Sequence, residues 1–281
     1  MKHIKLMTIV AATAMLAVSC GQKKETPKDE SPKYLVLYYS QTSNTKAVAE
    51  QIANLLNADI EEIVATQPYD GDFQATIERC IQERELGVKP EIQPLTADIS
   101  QYDVIFIGYP VWFGTYAPPV AALLDQIDLS GKKVVPFCTF GSGGLESSVK
   151  DLVAKQPNAE VLPGYGVRAA RLDAMPKEVE EFLKASGLLE GEYTPLPDFG
   201  EMHDVSADEA AIFNTAVDGY PMLNAQAKSV AVRTIPNGTE YLFVAMDKPR
   251  ESKADMPPAG ELQVYVTVVE GETPVFTKVI R

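Results

Sequence analysis

The sequence predicts an α/β domain with a doubly wound parallel sheet, followed by a smaller α+β domain. From Tyr34 to Gly187, short apolar runs rich in β-branched and aromatic residues alternate with amphipathic helical segments. This alternation is typical of a buried parallel sheet with helices on both faces. After about Asp204 the alternation stops, and one helical segment is followed only by strand-like runs, which indicates an antiparallel sheet.

Each strand of the first domain is predicted from an apolar run bounded by polar or turn-forming residues. These runs are 34–39, 60–64, 104–108, 133–138 and 160–162. Each helix is predicted from apolar residues at helical spacing, as with Val48, Ile52 and Leu55 in the first one. The predicted helices are 45–56, 73–86, 120–127, 145–154 and 176–185.

The second domain is predicted to contain one helix, 207–217, on an antiparallel sheet. Asn237-Gly238 is a strong hairpin signal between its first two strands. In the third, Leu262, Val264 and Val266 alternate with more polar residues, which predicts one buried and one wet face. The predicted strands are 230–235, 241–246, 262–269 and 275–280. The predicted bounds are 34–187 for the first domain, 188–204 for a linker and 205–281 for the second domain.

The composition of the 281 residues is that of a globular protein, with 46% apolar and 23% charged residues. The formal net charge of -14 argues against a general nucleic-acid binder, which needs a basic face, and against electrostatic adhesion to anionic lipid. There are 2 His and 3 Cys, with no C-x-x-C pair. A His-rich metal cluster is therefore excluded, and we expect neither a metal site nor a disulfide scaffold.

The N-terminus has the features of an export signal. Lys2 and Lys5 precede an apolar run, 6–18, which is too short for a comfortable transmembrane helix. The run ends at Ser19-Cys20, and residues 17–20 resemble the lipobox of a bacterial lipoprotein. This resemblance implies a signal peptide over 1–19, lipid on Cys20 and a polar tether over 20–33 in an extracytoplasmic, membrane-anchored protein of the cell envelope. An ordinary secretory signal is the alternative.

Loop 1, residues 40–45 (SQTSNT), lies between the first strand and the first helix. Its hydroxyl groups and the free N–H groups of a helix start could together bind an anion. The loop has no Lys or Arg, so it suits a monophosphate and not the chemistry of a P-loop NTPase. A simple strand-to-helix turn is the alternative.

Loops 2 and 3 follow the third and fourth strands. Loop 2, residues 109–119, contains Trp112, the only tryptophan, beside Phe113. Large aromatic side chains at a functional edge bind flat partners, although Trp112 packed in the core is the alternative. Loop 3, residues 139–144 (TFGSGG), offers a bendable backbone edge, with a flexible connector as the alternative. The loops leave the carboxyl ends of adjacent predicted strands, which predicts a pocket for a flat phosphorylated cofactor.

The three loops in this order resemble those of the flavodoxin family. Residues 40–45 are similar to the FMN phosphate loop S-x-T-G-N-T, and residues 108–114 and 136–144 are similar to the second and third flavin loops. The resemblance covers roughly 34–187. It implies a five-stranded parallel sheet in the order 2-1-3-4-5, non-covalent FMN and one- or two-electron redox chemistry. The implied FMN-binding residues are Ser40, Gln41, Thr42, Ser43, Asn44, Thr45, Pro110, Val111, Trp112, Phe113, Gly114, Thr139, Phe140, Gly141, Ser142 and Gly143.

The resemblance also implies a role for each loop. Residues of loop 1 would bind the phosphate, Trp112 would cover the isoalloxazine, the Gly114 backbone would approach N5, and residues 139–143 would line the pyrimidine edge. Ser43 departs from the family pattern, because the phosphate loop usually has glycine there. Serine predicts a left-handed backbone angle on a non-glycine residue, crowding of the phosphate, or one more hydroxyl donor.

The second domain is weakly similar to cystatins, with one helix followed by antiparallel strands. The inhibitory Q-x-V-x-G is absent, since residues 234–238 read TIPNG, so an accessory or docking role is favoured over protease inhibition.

The resulting functional hypothesis is an FMN-binding, lipid-anchored electron-transfer protein without catalytic side chains. Its partner would be a redox protein or a small-molecule acceptor. Two alternatives stay open. One is an NAD(P)H-dependent quinone or acceptor reductase that uses FMN, although the sequence has no G-x-G-x-x-G after a strand. The other is a non-redox binding lipoprotein that has lost the cofactor.

Overall fold

The computed structural model describes residues 31–220, 223–247 and 260–281. The predicted signal peptide, the predicted lipidation site Cys20 and most of the predicted tether lie outside these residues. Within them, no helix has both the length and the apolar character needed to cross a bilayer.

The first domain contains a parallel sheet with helices on both faces. Its strands are β1 (Tyr34–Tyr38), β2 (Asp59–Glu62), β3 (Val104–Trp112), β4 (Thr115–Tyr116), β5 (Lys133–Phe140), β6 (Glu160–Val161) and β7 (Tyr165–Arg168). Its α-helices are α1 (Asn44–Leu56), α2 (Phe73–Leu86), α3 (Pro118–Gln126), α4 (Leu145–Lys155) and α5 (Met175–Ala185). The order is β2-β1-β3-β5-β6, and β7 also pairs with β5 in parallel. With β6 and β7 sharing the fifth position, the predicted fold and strand order are confirmed.

Both faces of this sheet are buried, as a doubly wound fold requires. Along β1, Leu35 and Leu37 belong to one core cluster, whereas Val36 and Tyr38 belong to the other. Residues of α1 and α5 pack on the second face, while α3 and α4 cover the first.

Two strands extend further than the sequence predicts. β3 continues to Trp112, because Tyr109 and Pro110 pair with β5 and the last two residues pair with β4. β5 continues to Phe140, which pairs with β7. The apolar runs predicted ends at residues 108 and 138. The additional strand residues bring loops 2 and 3 side by side at the carboxyl edge of the sheet.

The C-terminal sheet, β8 to β12, is antiparallel. It contains β8 (His203–Asp204), β9 (Ala225–Ile235), β10 (Gly238–Asp247), β11 (Glu261–Val269) and β12 (Val275–Ile280), in the order β12-β11-β10-β9-β8. α6 (Ala207–Val217) begins with a capping box formed by Ser206 and Glu209 and places Phe213 against Phe243, with ring centroids 5.2 Å apart. The predicted helix and four strands are present, and β8, inside the predicted linker, is a fifth strand.

The predicted hairpin between β9 and β10 is present, but the glycine has another role than expected. The turn itself is Pro236-Asn237, and Gly238 is the first residue of β10, opposite Ile235. A methyl group added at Gly238 would lie 2.0 Å from the Val268 carbonyl oxygen. The glycine is therefore needed for the close approach of β11, and not for a positive φ.

Candidate functional site

Loop 1 leaves β1 and leads directly into α1. Ser43 is the N-cap residue of this helix, and its side chain makes no capping hydrogen bond. The Ala47 N–H donates a hydrogen bond to the Ser43 carbonyl, which closes the first turn of α1. The N–H groups of the first turn of a helix have no partner inside the helix, so this uncapped start suits an anionic ligand.

Ser43 has a left-handed conformation, one of the three alternatives given for a serine at the usual glycine position, with φ 64° and ψ -1°. Its side chain is exposed, so no packing interaction compensates for this geometry. Thr42 is also exposed, and Asn44 is the first residue of α1.

We expect Ser43→Gly to raise the free energy of unfolding of the cofactor-free chain by about 1 kcal/mol, because glycine adopts positive φ without a steric penalty. Urea unfolding of the two variants measures the difference. Asn57→Gly is the matched control: Asn57 also has a left-handed angle, φ 49°, but asparagine tolerates it better, so a smaller gain is expected. Equal stability of Ser43→Gly and wild type would show that the left-handed angle is not a cost.

Ser40, at the start of loop 1, has a side-chain oxygen that is buried and lacks a hydrogen-bond partner among the described residues. A buried polar atom without a partner costs about 1–3 kcal/mol, so such an atom at the edge of a loop points to a ligand.

The Gln41 side chain joins loop 1 to α2 and to the segment before it. Its Nε2 donates to the Tyr69 carbonyl at 2.7 Å and to Thr76 Oγ1 at 2.9 Å. A cavity of about 220 Å³ is lined by Ser40 and Gln41 together with Glu62 and Asp70. Two acidic residues disfavour phosphate binding in this cavity, so the helix start is the better anion site.

A buried hydrogen bond joins loop 1 to the end of β5. Thr45 Oγ1 and Thr139 Oγ1 are 2.8 Å apart, and both residues are almost fully buried. The structure thus brings together two of the predicted site residues from separate loops.

Loop 2 is a tight hairpin between β3 and β4. Phe113 and Gly114 form its two-residue turn, with φ 51° and φ 81°. Positive φ at both positions is typical of a type I′ turn. Phe113 is 52% exposed at the tip, and the Gly114 carbonyl accepts a hydrogen bond from Ser147 of α4. The hairpin therefore presents a phenyl ring on a fixed backbone.

Trp112 lies in an aromatic cluster and not at the tip of the hairpin. Its ring is edge-on to Tyr39, at 5.8 Å, and to Tyr69, at 5.3 Å. The indole is half-buried, so its predicted contact with the isoalloxazine stays a prediction. Pro110 and Val111, also half-buried, are the preceding residues of β3.

Loop 3 begins inside β5. Thr139 and Phe140 are strand residues, and the Phe140 ring packs in the core. Beyond them, the Gly141 carbonyl accepts from Arg168 Nε at 2.8 Å, and the Ser142 carbonyl accepts from the backbone N–H of Val279 at 2.7 Å. The predicted pyrimidine edge is thus in contact with β7 and with the C-terminal sheet.

Sequence reasoning missed Arg168 because it missed β7. The segment Tyr165–Arg168 is four residues long and contains a glycine, which weakens a strand signal. The alternation of Tyr165 and Val167 with Gly166 and Arg168 was the available clue in the sequence. Burial lowers the pKa of the Arg168 guanidinium below its ordinary value.

The thiols of the described residues are poor nucleophiles. Cys80 and Cys138 are free and buried. Burial raises the pKa of the Cys80 thiol to about 11, and burial raises the pKa of Cys138 as well. Both therefore stay protonated near neutral pH, and thiolate chemistry is not expected at either position.

The family model named Flavodoxin matches residues 33–181. The chain belongs to the flavodoxin family. The match extends from just before β1 into α5 and so includes all three loops of this flavodoxin. The resemblance to flavodoxins that the loop motifs indicated is confirmed, and family membership supports FMN as the cofactor. The lipoprotein signal and the cystatin-like resemblance lie outside the match and stay predictions.

The first domain is similar to solved structures. A proposed flavoprotein from Bacteroides eggerthii is 28% identical, with a TM-score of 0.50 and coverage of 56% of this chain and 98% of that one. One from Bacteroides uniformis is 24% identical, with a TM-score of 0.48 and coverage of 54% and 99%. A flavoprotein from Lactobacillus acidophilus in complex with FMN is 31% identical, with a TM-score of 0.44 and coverage of 48% and 93%. No curated protein matches the chain.

Proposed function

We propose that this flavodoxin binds FMN non-covalently at the carboxyl ends of β1, β3 and β5 and serves as an electron-transfer protein. When bound, FMN supplies the exchange of one or two electrons. The chain binds the cofactor, orients it and controls the access of water and partners to it.

The observation that carries the proposal is that loop 1 contains both an orphaned buried hydroxyl, on Ser40, and an uncapped helix start, at Ser43. The Ser40 side chain is a donor without an acceptor, and the first turn of the helix offers N–H groups to a negative charge. The phosphate group of FMN is a dianionic monophosphate, the kind of anion that this loop would favour.

The ring end of the proposed site is formed by loops 2 and 3. Phe113 and Gly114 present a phenyl ring and a peptide edge, and residues 141–143 present a backbone edge. These groups are suited to contact a flat heterocycle through stacking and main-chain hydrogen bonds. Within this proposal, proton transfer by a side chain is not needed for the electron step.

The test is an absorbance spectrum of the purified chain after incubation with FMN at micromolar concentration and desalting. We expect retained flavin bands with quenched fluorescence. Riboflavin is the control ligand, because it has the same ring system without the phosphate, and we expect much weaker retention. A colourless eluate from a folded protein would overturn the proposal and favour the non-redox binding lipoprotein.

The same FMN-loaded protein separates an electron carrier from a reductase. Steady oxidation of NAD(P)H in the presence of a quinone would assign the reductase activity. Electron exchange with a protein donor or acceptor, without such turnover, would assign the carrier role. The net charge of -14 favours a basic redox partner through long-range attraction.

The proposed location is the outer side of a bacterial membrane, with lipid on Cys20 as the anchor. The apolar run and the cysteine that follows it support this part of the proposal. Replacing Cys20 by serine is expected to move the protein from the membrane fraction to the soluble fraction. Unchanged membrane association would argue against the lipid anchor.

A further inference from the structure

Arg168 joins loop 3 to the C-terminal sheet. Its Nε donates to the Gly141 carbonyl at 2.8 Å, and its Nη1 donates to the Phe276 carbonyl of β12 at 2.6 Å. Arg168 itself lies on β7, opposite Phe140 of β5. One planar side chain thus holds two backbone segments that are far apart in the sequence.

The guanidinium is held by carbonyls and rings. It lies over the Phe276 ring at 4.2 Å and over the Tyr220 ring at 5.2 Å from the centroids. Among the described residues, Arg168 forms no ion pair with a carboxylate. Its N–H donors therefore hold two backbone carbonyls at fixed positions, which a lysine with its single ammonium group does less well.

A second contact runs along the same loop. The Val279 N–H donates to the Ser142 carbonyl at 2.7 Å, and a methyl group added at Gly143 would lie 2.1 Å from the Val279 carbonyl oxygen. β12 is the edge strand of its sheet, so its outward N–H would otherwise face water. Lys278 adds an ion pair with Glu146 of α4 at 3.2 Å.

We propose that Arg168 is a positioning residue for FMN, and that the C-terminal sheet is a structural part of the flavin site. This inference rests on the proposed function. Through Arg168 and Val279, β12 fixes the backbone of residues 141–143 before the cofactor arrives.

The physical reason is the flexibility of loop 3. Its sequence contains three glycines, and an unrestrained glycine loop loses backbone entropy when it orders around a ligand. A loop already fixed by β12 avoids much of this loss on binding. The C-terminal sheet would therefore contribute to FMN affinity through the position of loop 3.

The decisive variant is Arg168→Ala in the full chain. We expect the dissociation constant for FMN to rise about tenfold, the spectrum of the bound flavin to change, and hydrogen exchange at residues 141–144 to become faster in the cofactor-free protein. Arg168→Lys keeps the charge but not both hydrogen bonds, so it should give an intermediate affinity.

Arg171→Ala is the matched control. Arg171 lies three residues further on and forms an ion pair with Glu178 of α5 at 2.6 Å. Its loss should lower stability while FMN affinity stays within twofold of wild type. A general loss of stability in Arg168→Ala would then be distinguished from loss of loop position.

The outcomes separate the two proposals. Failure of the wild-type chain to bind FMN overturns the proposed function, while hydrogen exchange still tests whether Arg168 fixes loop 3. If wild type binds FMN and Arg168→Ala binds it within twofold with unchanged exchange, the positioning role is wrong. If Arg168→Ala does not fold, Arg168→Lys decides: wild-type affinity in that variant contradicts the role.

Discussion

Replacing Ser40 by alanine is expected to stabilise the cofactor-free chain and to weaken FMN binding. The buried hydroxyl has no partner among the described residues, so its removal relieves an unmet polar group and raises the free energy of unfolding by about 1 kcal/mol. A hydrogen bond to a charged phosphate contributes about 1.5–3 kcal/mol, so FMN affinity should fall roughly ten- to a hundredfold. Urea unfolding and flavin-fluorescence titration measure the two effects.

The matched control is Ser148→Ala, which removes a buried hydroxyl that is fully bonded. Ser148 Oγ donates to the Gly144 carbonyl at 2.7 Å and accepts from the Tyr109 hydroxyl at 3.0 Å. This change should destabilise the chain by about 1–3 kcal/mol, the opposite sign to Ser40→Ala. Loss of stability in Ser40→Ala together with unchanged FMN affinity would show that the Ser40 hydroxyl is not a ligand for phosphate.

Gly108→Ala is expected to be strongly destabilising, because the Phe137 ring lies across this glycine. A methyl group added at Gly108 would be 2.1 to 2.8 Å from three atoms of the ring. Phe137 is fully buried and pairs with Gly108 across β3 and β5, so neither strand can retreat without breaking the sheet. Overpacking of this kind costs about 2–3 kcal/mol, which thermal unfolding can measure.

A double mutant tests that explanation. Phe137→Leu removes part of the ring volume and should cost about 1–2 kcal/mol alone, but less in the Gly108→Ala background. The stability lost in the double mutant should therefore be smaller than the sum of the two single losses. Additive losses in the double mutant would mean that the clash between the new methyl group and the ring is not the cause.

The layered fold and the positions of the three loops could be predicted from the sequence, since both follow from local patterns. The bounds of α2, Phe73–Leu86, are those of the predicted helix, and the loops follow β1, β3 and β5 as predicted. Periodicity reports which residues are buried, and a parallel sheet buries continuous runs that stand out in a sequence.

The remaining parts of the site depend on contacts between distant segments. The hydrogen bond from Arg168 to Phe276 spans 108 positions, and the surroundings of Trp112 depend on Tyr39 and Tyr69. No local pattern records such neighbours. The missing partner of Ser40 Oγ is equally invisible in sequence, because it depends on what the folded chain fails to place there.

The paired hydroxyls of Thr45 and Thr139 have a consequence for the orientation of their hydrogens. Either oxygen can be the donor in this 2.8 Å bond, so the cofactor-free chain has two proton arrangements available. If Thr45 turns its hydrogen toward a phosphate, its oxygen must accept from Thr139, and the arrangement becomes unique. An anion bound to Thr45 would then determine that the Thr139 hydroxyl donates its hydrogen to Thr45.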